Sequence, residues 1–312
     1  MKKLLLIDGY SIICRGYYAL PMLSNSKAQH TNACLGFFNI FYKVIEEENP
    51  DYIAVAFDEN APTFRHELYK EYKGKRQPMP AELKEQVPYV KDILSSMNVS
   101  IVSKEGYEAD DIMGTLSHKF SSKDLEAIIL SGDRDMLQLA TSHIKIRLVK
   151  TLNSKSTTLN YYEDDVYNEL NVTPTEYIDV KALMGDQSDN IPGVTGVGEK
   201  TALSLIMQYK SIENIYTHID EITKKKLHET LEKEHDDALF WKKMVTIVKD
   251  APIDITLEDM SKFDIKSDNV KASFLSYEMN SIYKRLGGKI TSEKNKMDKE
   301  TNLLNLFNDN NA

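Results

Sequence analysis

Six residues, Gly106-Tyr107-Glu108-Ala109-Asp110-Asp111, set three carboxylates ahead of the apolar pattern Ile112, Met113, Leu116, which predicts the first turn of a helix. Acidic residues suit a helix N-terminus, where the macrodipole favours negative charge, but two would serve that purpose. Three other apolar runs stop at an aspartate: residues 3–7 before Asp8, residues 52–57 before Asp58, and residues 127–130 before Ser131-Gly132-Asp133-Arg134-Asp135. A second acidic pair, Asp186 and Asp189, follows in Met184-Gly185-Asp186-Gln187-Ser188-Asp189-Asn190. So many carboxylates converge while ionised only if cations neutralise them, because like charges raise each other's pKa. No histidine or cysteine accompanies them, and an all-oxygen set suits a hard cation, Mg²⁺ or Mn²⁺ rather than zinc. Two groups of carboxylates point to two metal ions, an arrangement suited to phosphodiester hydrolysis.

The elements that must position these residues alternate. Strands are expected at 3–7, 52–57, 98–102, 127–130 and 144–149, and helices at 31–48, 81–97 and 108–120. That alternation implies an α/β fold with a mostly parallel sheet, and ligands of such sheets gather outside the carboxyl ends of the strands. Asp8, Asp58 and Asp133 each lie just past such an end. From Tyr161 the pattern is helical throughout, with helices expected at 163–170, 174–184, 199–208, 211–217, 220–233 and 235–248. After about Leu286 the composition turns polar behind Gly287-Gly288. The tail 287–312 is expected to be disordered, apart from a sticky segment at Leu303, Leu304, Leu306 and Phe307.

Two further motifs fit a nucleic-acid backbone. The run Asn190-Ile-Pro-Gly193-Val-Thr-Gly196-Val-Gly198-Glu-Lys200-Thr201 is not a phosphate-binding P-loop, because Glu199 separates Gly198 from Lys200 and Ile191-Pro192 replaces the strand. A glycine hairpin that opens a helix still aims backbone N–H groups at an anion. The basic stretch 64–76 carries Arg65, Lys70, Lys73, Lys75 and Arg76 with interleaved aromatics such as Tyr72. Aromatic faces stack on unpaired bases while cations track phosphates. Arg15 joins the expected DNA contacts. Interrupted by Gly74, Pro78 and Pro80, the 63–97 segment is expected to form a mobile arch over the metal edge.

Composition sets the frame. The chain has 312 residues, 41% hydrophobic and 28% charged, which suits an ordinary globular protein of two domains. Its formal charge of −9 does not exclude a DNA partner, since a clustered basic face can bind phosphate on an acidic protein. The two cysteines, Cys14 and Cys34, read as buried thiols in a reducing compartment. No signal peptide and no bilayer-spanning stretch are read, so a cytoplasmic location is expected.

Taken together the runs Leu-Ile-Asp8-Gly, Phe-Asp58-Glu-Asn-Ala-Pro-Thr-Phe-Arg65-His-Glu, Tyr-Lys73-Gly-Lys-Arg76, Gly-Tyr-Glu108-Ala-Asp110-Asp111, Gly-Asp133-Arg-Asp135 and Gly-Asp186-Gln-Ser-Asp189-Asn-Ile-Pro-Gly resemble the 5′-nuclease family. That family includes the N-terminal 5′→3′ exonuclease region of bacterial DNA polymerase I and the flap endonucleases. The resemblance covers residues 2 to about 286. It implies a PIN-like domain at 1–165, then a helical region at 166–286 with a helix-hairpin-helix (H3TH) motif on duplex DNA. It implies one metal site at Asp8, Asp58, Glu108, Asp110 and Asp111, a second at Asp133, Asp135, Asp186 and Asp189, and a K⁺ ion at the glycine hairpin. Arg65 and Lys73 are expected to be catalytic, Lys73 near the scissile phosphate. The expected substrates are DNA 5′ flaps, nicks, 5′ ends and RNA–DNA primer junctions, cut by a monomer in primer removal and repair. No polymerase region follows in this chain, so nick translation is expected to need a separate polymerase. A haloacid-dehalogenase-like phosphatase needs a second aspartate two residues after the first, where this chain has Tyr10. A DNA-binding protein without catalysis has no use for the carboxylates.

Overall fold

Strand β1 (Lys2–Asp8) is apolar on both faces and buried from Leu4 onward, as a central strand of a sheet covered on both sides must be. In the computed structural model, which describes residues 1–152 and 155–289, it lies at the middle of a six-stranded sheet. The chain continues through α1 (Gly9–Ala19), α2 (Asn32–Glu48), β2 (Tyr52–Ala56), α3 (Phe64–Leu68), α4 (Ala81–Lys84), α5 (Val87–Ser96), β3 (Ser100–Val102), α6 (Ala109–Phe120) and β4 (Leu125–Ser131). A 3-10 turn at Arg134–Leu139 leads to β5 (Ile144–Leu152) and β6 (Lys155–Tyr161). The helical region holds α7 (Glu163–Leu170), α8 (Pro174–Met184), α9 (Glu199–Tyr209), α10 (Ile212–Thr217), α11 (Lys225–Lys233) and α12 (His235–Val245), followed by α13 (Leu257–Met260), α14 (Asp268–Ser276) and α15 (Asn280–Arg285).

The sheet order is β3-β2-β1-β4-β5-β6, parallel except for the antiparallel β5–β6 pair. Chain direction across the sheet reverses between β1 and β4, and a crevice opens there at the carboxyl ends. In register, Asp8 sits opposite Ala56 and Ile7 opposite Leu130. The ends of three strands therefore come level at one edge. Leu4 and Leu6 face a core shared with α6 and the helical region, and Leu5 and Ile7 face a core built with α1, α2 and α5.

Four expectations need correction. No element is expected over 155–161, where the structure has the edge strand β6, because its polar sequence Lys-Ser-Thr-Thr-Leu-Asn-Tyr shows no apolar alternation. The helix expected at 81–97 is broken into α4 and α5 beside Pro88, which lacks the N–H an inner turn needs. That half of the expected arch belongs to the body: Val87, Val90, Ile93 and Leu94 are buried in the core. Buried Gln86 caps α2 from there, its Oε1 accepting from the backbone N–H groups of Ala33 (2.7 Å) and Cys34 (3.2 Å). Finally, the chain after α12 returns to the sheet domain, where Phe274 of α14 packs edge-on to Phe38 of α2 with centroids 5.1 Å apart. The 166–286 region is thus not one separate body.

The α1–α2 hairpin closes on two glycines. A Cβ on Gly36 would lie 2.4 Å from the Cα of Gly16, so only hydrogen fits at the crossing. Among the described residues no helix is long and apolar enough to cross a membrane. Leu303, Leu304, Leu306 and Phe307 lie outside the described residues.

Candidate active site

Asp8 ends β1 and caps α1. Its Oδ1 accepts from the Ser11 N–H at 3.0 Å, and its Oδ2 from the Ser131 hydroxyl at 2.7 Å. Ser131 in turn accepts from the Asp133 N–H at 3.0 Å, which links the ends of β1 and β4 through one buried hydroxyl. Asp58, two residues past β2, accepts from the Ala109 N–H at 2.6 Å and so docks the acidic run against the sheet. Glu108 caps α6 in a reciprocal box with Asp111, the Glu108 N–H donating to Asp111 Oδ2 at 3.1 Å.

These groups open onto two adjoining cavities. The first, about 320 Å³, is lined by Asp8, Asp58, Glu108, Asp110 and Asp133. The second, about 20 Å³, shares Glu108 and Asp110 and adds Asp135, Asp186 and Asp189. Burial, with Asp58 and Asp133 adding to it, pushes the Asp8 carboxyl up to about 6. Asp110 is pushed well above the carboxylate range by burial and by its neighbours Asp8 and Asp133. Burial and Asp133 lift Asp135 to about 7. Carboxyls raised by one another mark an oxygen cage short of positive charge.

Cations of the chain supply part of it. Lys73 Nζ lies 2.6 Å from Glu108 Oε1, and Arg76 Nη2 lies 2.5 Å from Asp189 Oδ1. Burial works against the Lys73 charge, yet Glu108 and Asp189 outweigh it and hold the ammonium above its usual range. With these pairs made, no three carboxylate, histidine or cysteine side chains among the described residues are arranged to hold an ion as they stand. The carboxylates themselves, raised by burial and by one another, fit a hard divalent cation. Contrary to expectation a cysteine stands among them, the Cys14 thiol in the lining of the larger cavity, pushed up by burial and by Asp8.

Two expected site residues serve each other instead. Asp111 is 0% exposed and accepts from Arg65 Nη1 at 2.7 Å, Arg65 Nη2 at 2.9 Å and the Val248 N–H at 2.9 Å. Arg65 also donates to the carbonyls of Met244 and Thr246, both at 2.9 Å. Asp111 has no oxygen left for a metal and Arg65 no free edge for a phosphate; together they pin α6 to the strand-like run after α12. Tyr72, expected to stack on bases, is buried, with its hydroxyl 3.0 Å from Glu108 and 2.8 Å from Asp189.

Two family models match the chain: 5′-3′ exonuclease, N-terminal resolvase-like domain, over residues 3–171, and 5′-3′ exonuclease, C-terminal SAM fold, over residues 172–270. The chain belongs to the 5′-3′ exonuclease family. It is 43% identical over 287 residues to DNA polymerase I of Bacillus subtilis, an alignment that takes in 92% of this chain and 32% of that one. It spans about a third of the length of the curated relatives it matches. Among solved structures, bacteriophage T5 5′-exonuclease with divalent zinc ions matches with a TM-score of 0.61 and 21% identity, over 91% of this chain and 98% of that one. A complex of the T5 flap endonuclease with DNA and metal ions matches at 0.60 and 20%, with the same coverage.

In this exonuclease-family chain the other expected DNA contacts fall in two places. Lys70, Lys75 and Arg76 are exposed along the 69–76 loop beside the metal edge. Gly196, Gly198 and Lys200 are exposed where the glycine hairpin opens α9, beside half-buried Thr201. Gly193 is not available there: it is buried, with φ +65°, and a Cβ on it would lie 2.3 Å from the Gly185 nitrogen. Arg15 donates to the Gly132 carbonyl at 3.0 Å and so braces the turn that carries Asp133. Residues the motifs did not reveal are Ser11, Ser131 and Lys181. Lys181, 6% exposed, pairs with Asp135 at 2.9 Å and Asp186 at 2.6 Å. Its one signal is a charge that, with Asp179, interrupts an otherwise apolar helix stretch, Ile178-Asp179-Val180-Lys181-Ala182-Leu183.

Proposed function

We propose that the protein is a structure-specific 5′→3′ exonuclease and 5′-flap endonuclease that hydrolyses DNA phosphodiesters with two divalent ions, Mg²⁺ or Mn²⁺. The observation that carries this reading is the convergence of Asp8, Asp58, Glu108, Asp110 and Asp133, from three strand ends and a helix start, around one open cavity of about 320 Å³. Asp8, Asp58, Glu108 and Asp110 would hold one ion, joined by Asp133, which was expected at the second site but lines this first cavity, and Asp135, Asp186 and Asp189 would hold the other. Bound there, the ions would lower the pKa of water and neutralise charge on the reacting phosphate. The chain's own residues do the rest. Lys73 sits over the cavity with its ammonium on Glu108, poised to turn to a phosphate oxygen where charge develops in the transition state. The exposed cations Lys70, Lys75 and Arg76 hold the single-stranded 5′ end. The exposed part of the glycine hairpin, Gly196, Gly198 and Lys200 with Thr201, holds the duplex backbone and would accommodate K⁺.

Water oxygen bonds to phosphorus and gives up a proton, the bond from phosphorus to the departing sugar oxygen breaks, and that oxygen takes up a proton. The substrates that suit this arrangement are DNA flaps, nicks and 5′ ends, including RNA–DNA primer junctions, met in the cytoplasm by a monomer. Cleavage of a labelled 5′-flap oligonucleotide, with and without EDTA, tests the reading. Metal-dependent release of the flap is expected; cleavage that persists in excess chelator overturns the metal mechanism.

A further inference from the structure

The two carboxylate clusters differ in how much positive charge the chain already gives them. Around the larger cavity stand Asp8, Asp58, Glu108, Asp110 and Asp133, with Lys73, Arg76 and Arg134 also in its lining; of these carboxylates Glu108 is, among the described residues, the one held in an ion pair, with Lys73 and Arg65. In the second cluster every carboxylate is already paired: Asp135 and Asp186 with Lys181, and Asp189 with Arg76. Lys73 and Arg76 come from the 69–76 loop. Lys181 is different: it projects from the last turn of α8, 6% exposed, and its stem is fixed by the helix. Its nitrogen sits between Asp135 Oδ1 at 2.9 Å and Asp186 Oδ2 at 2.6 Å, one oxygen on each of two carboxylates that would serve a divalent ion at about 2.1 Å. The ammonium and such an ion compete for the same oxygens.

We infer that Lys181 is the resident counter-ion of the second cluster, and that by occupying Asp135 and Asp186 it makes the two metal sites unequal, the first tight and the second weak. This rests on the proposed two-metal function, which assigns ions to both clusters. The advantage is physical: Asp135 and Asp186 stay placed between turnovers without an ion, and the second ion is taken up when substrate phosphate adds its own charge. Lys181 acts through the carboxylates, so it is a positioning residue.

The test is Mn²⁺ binding to the full chain without DNA, followed by electron paramagnetic resonance and calorimetry. Wild type is expected to bind one Mn²⁺ tightly and a second weakly. Lys181→Met, which keeps the apolar stem and removes the charge, should tighten the second site by roughly tenfold or more and leave the first unchanged. Lys181→Gln should do the same while keeping a hydrogen bond to the carboxylates, and Lys181→Arg should restore the inequality. If the second affinity is unchanged or weaker in the neutral variants, the inference is wrong while the first site stands. If wild type binds no Mn²⁺ at all, the two-metal function falls with it. Wild type alone provides an independent measurement should the variants fail to fold. With ¹⁵N-labelled lysine side chains, the Lys181 ammonium signal should hold through the first equivalent of Mg²⁺ and move with the second. Movement with the first equivalent, or none at saturation, overturns the inference.

Discussion

Arg65 and Asp111 meet fork to fork, with Nη1 2.7 Å from Oδ2 and Nη2 2.9 Å from Oδ1, both side chains buried. Breaking a buried, hydrogen-bonded pair by removing one partner leaves the other charge uncompensated and costs about 3–5 kcal/mol. Arg65→Lys cannot reproduce the bidentate geometry and should lower the melting temperature clearly, as should Asp111→Asn. The double variant Arg65→Met, Asp111→Leu should lie closer to wild type than the sum of the two single changes. Additive losses in thermal melts would mean that the pair does not act as a unit.

Asp133→Ala should reduce flap cleavage by orders of magnitude while DNA binding is retained or strengthened, because a negative charge beside phosphate has gone. Single-turnover cleavage and a filter-binding isotherm on the same preparation separate the two effects. Loss of binding in step with cleavage would assign Asp133 to folding or contact.

Lys73 and Lys75 are two residues apart and face different surroundings. Lys73 is held on Glu108 at the cavity, whereas Lys75 is exposed. Lys73→Ala is expected to lower turnover at saturating DNA. Lys75→Ala should weaken binding and reduce the salt slope by about 0.7 on single strands or 0.9 on duplex. A Lys73→Ala enzyme altered only in its dissociation constant would remove Lys73 from the chemistry.

Far from the cavity, Glu48 at the end of α2 accepts from Lys3 (2.8 Å), Lys145 (2.9 Å) and Arg147. Burial pushes its carboxyl up, but the hydrogen bonds and charge of those cations win and hold it at about 2. A carboxylate depressed on folding adds stability above its unfolded pKa and loses it as pH falls through the folded one. Glu48→Gln should therefore unfold at a lower temperature than wild type at neutral pH, by about 3–5 kcal/mol in stability. The gap should close as pH falls from about 4.5 toward 2. A gap independent of pH would show that packing, and not charge, holds this cluster.

Most of the metal edge was legible in the chain itself. A strand covered on both faces must be apolar throughout, so an aspartate just past its end is conspicuous, and Asp8, Asp58 and Asp133 announced one sheet edge for that reason. Alternating periodicities supplied the parallel sheet. The polar edge strand β6 escaped, because a strand paired on one side only needs no apolar alternation to form.

What tertiary structure alone decided is which charges are spent inside the protein. Arg65 and Tyr72 look in sequence like any cation and aromatic of a DNA-binding stretch, and Asp111 like its neighbour Asp110. Only the approach of residues 244–248 to α6 buries Arg65 against Asp111 and turns an expected catalytic residue and an expected metal ligand into a clamp. The 81–97 helix likewise reads as part of an arch until Gln86 is seen capping α2. Lys181 is the reverse case: a lysine of a helix whose sequence Pro-Thr-Glu-Tyr-Ile-Asp-Val-Lys-Ala-Leu-Met belongs to no motif becomes the cation of the second cluster because α8 crosses the sheet edge beside Asp135. Residue type fixes what a side chain can bind; the partner is set by contacts between segments distant in the chain, and those contacts leave no local pattern to read.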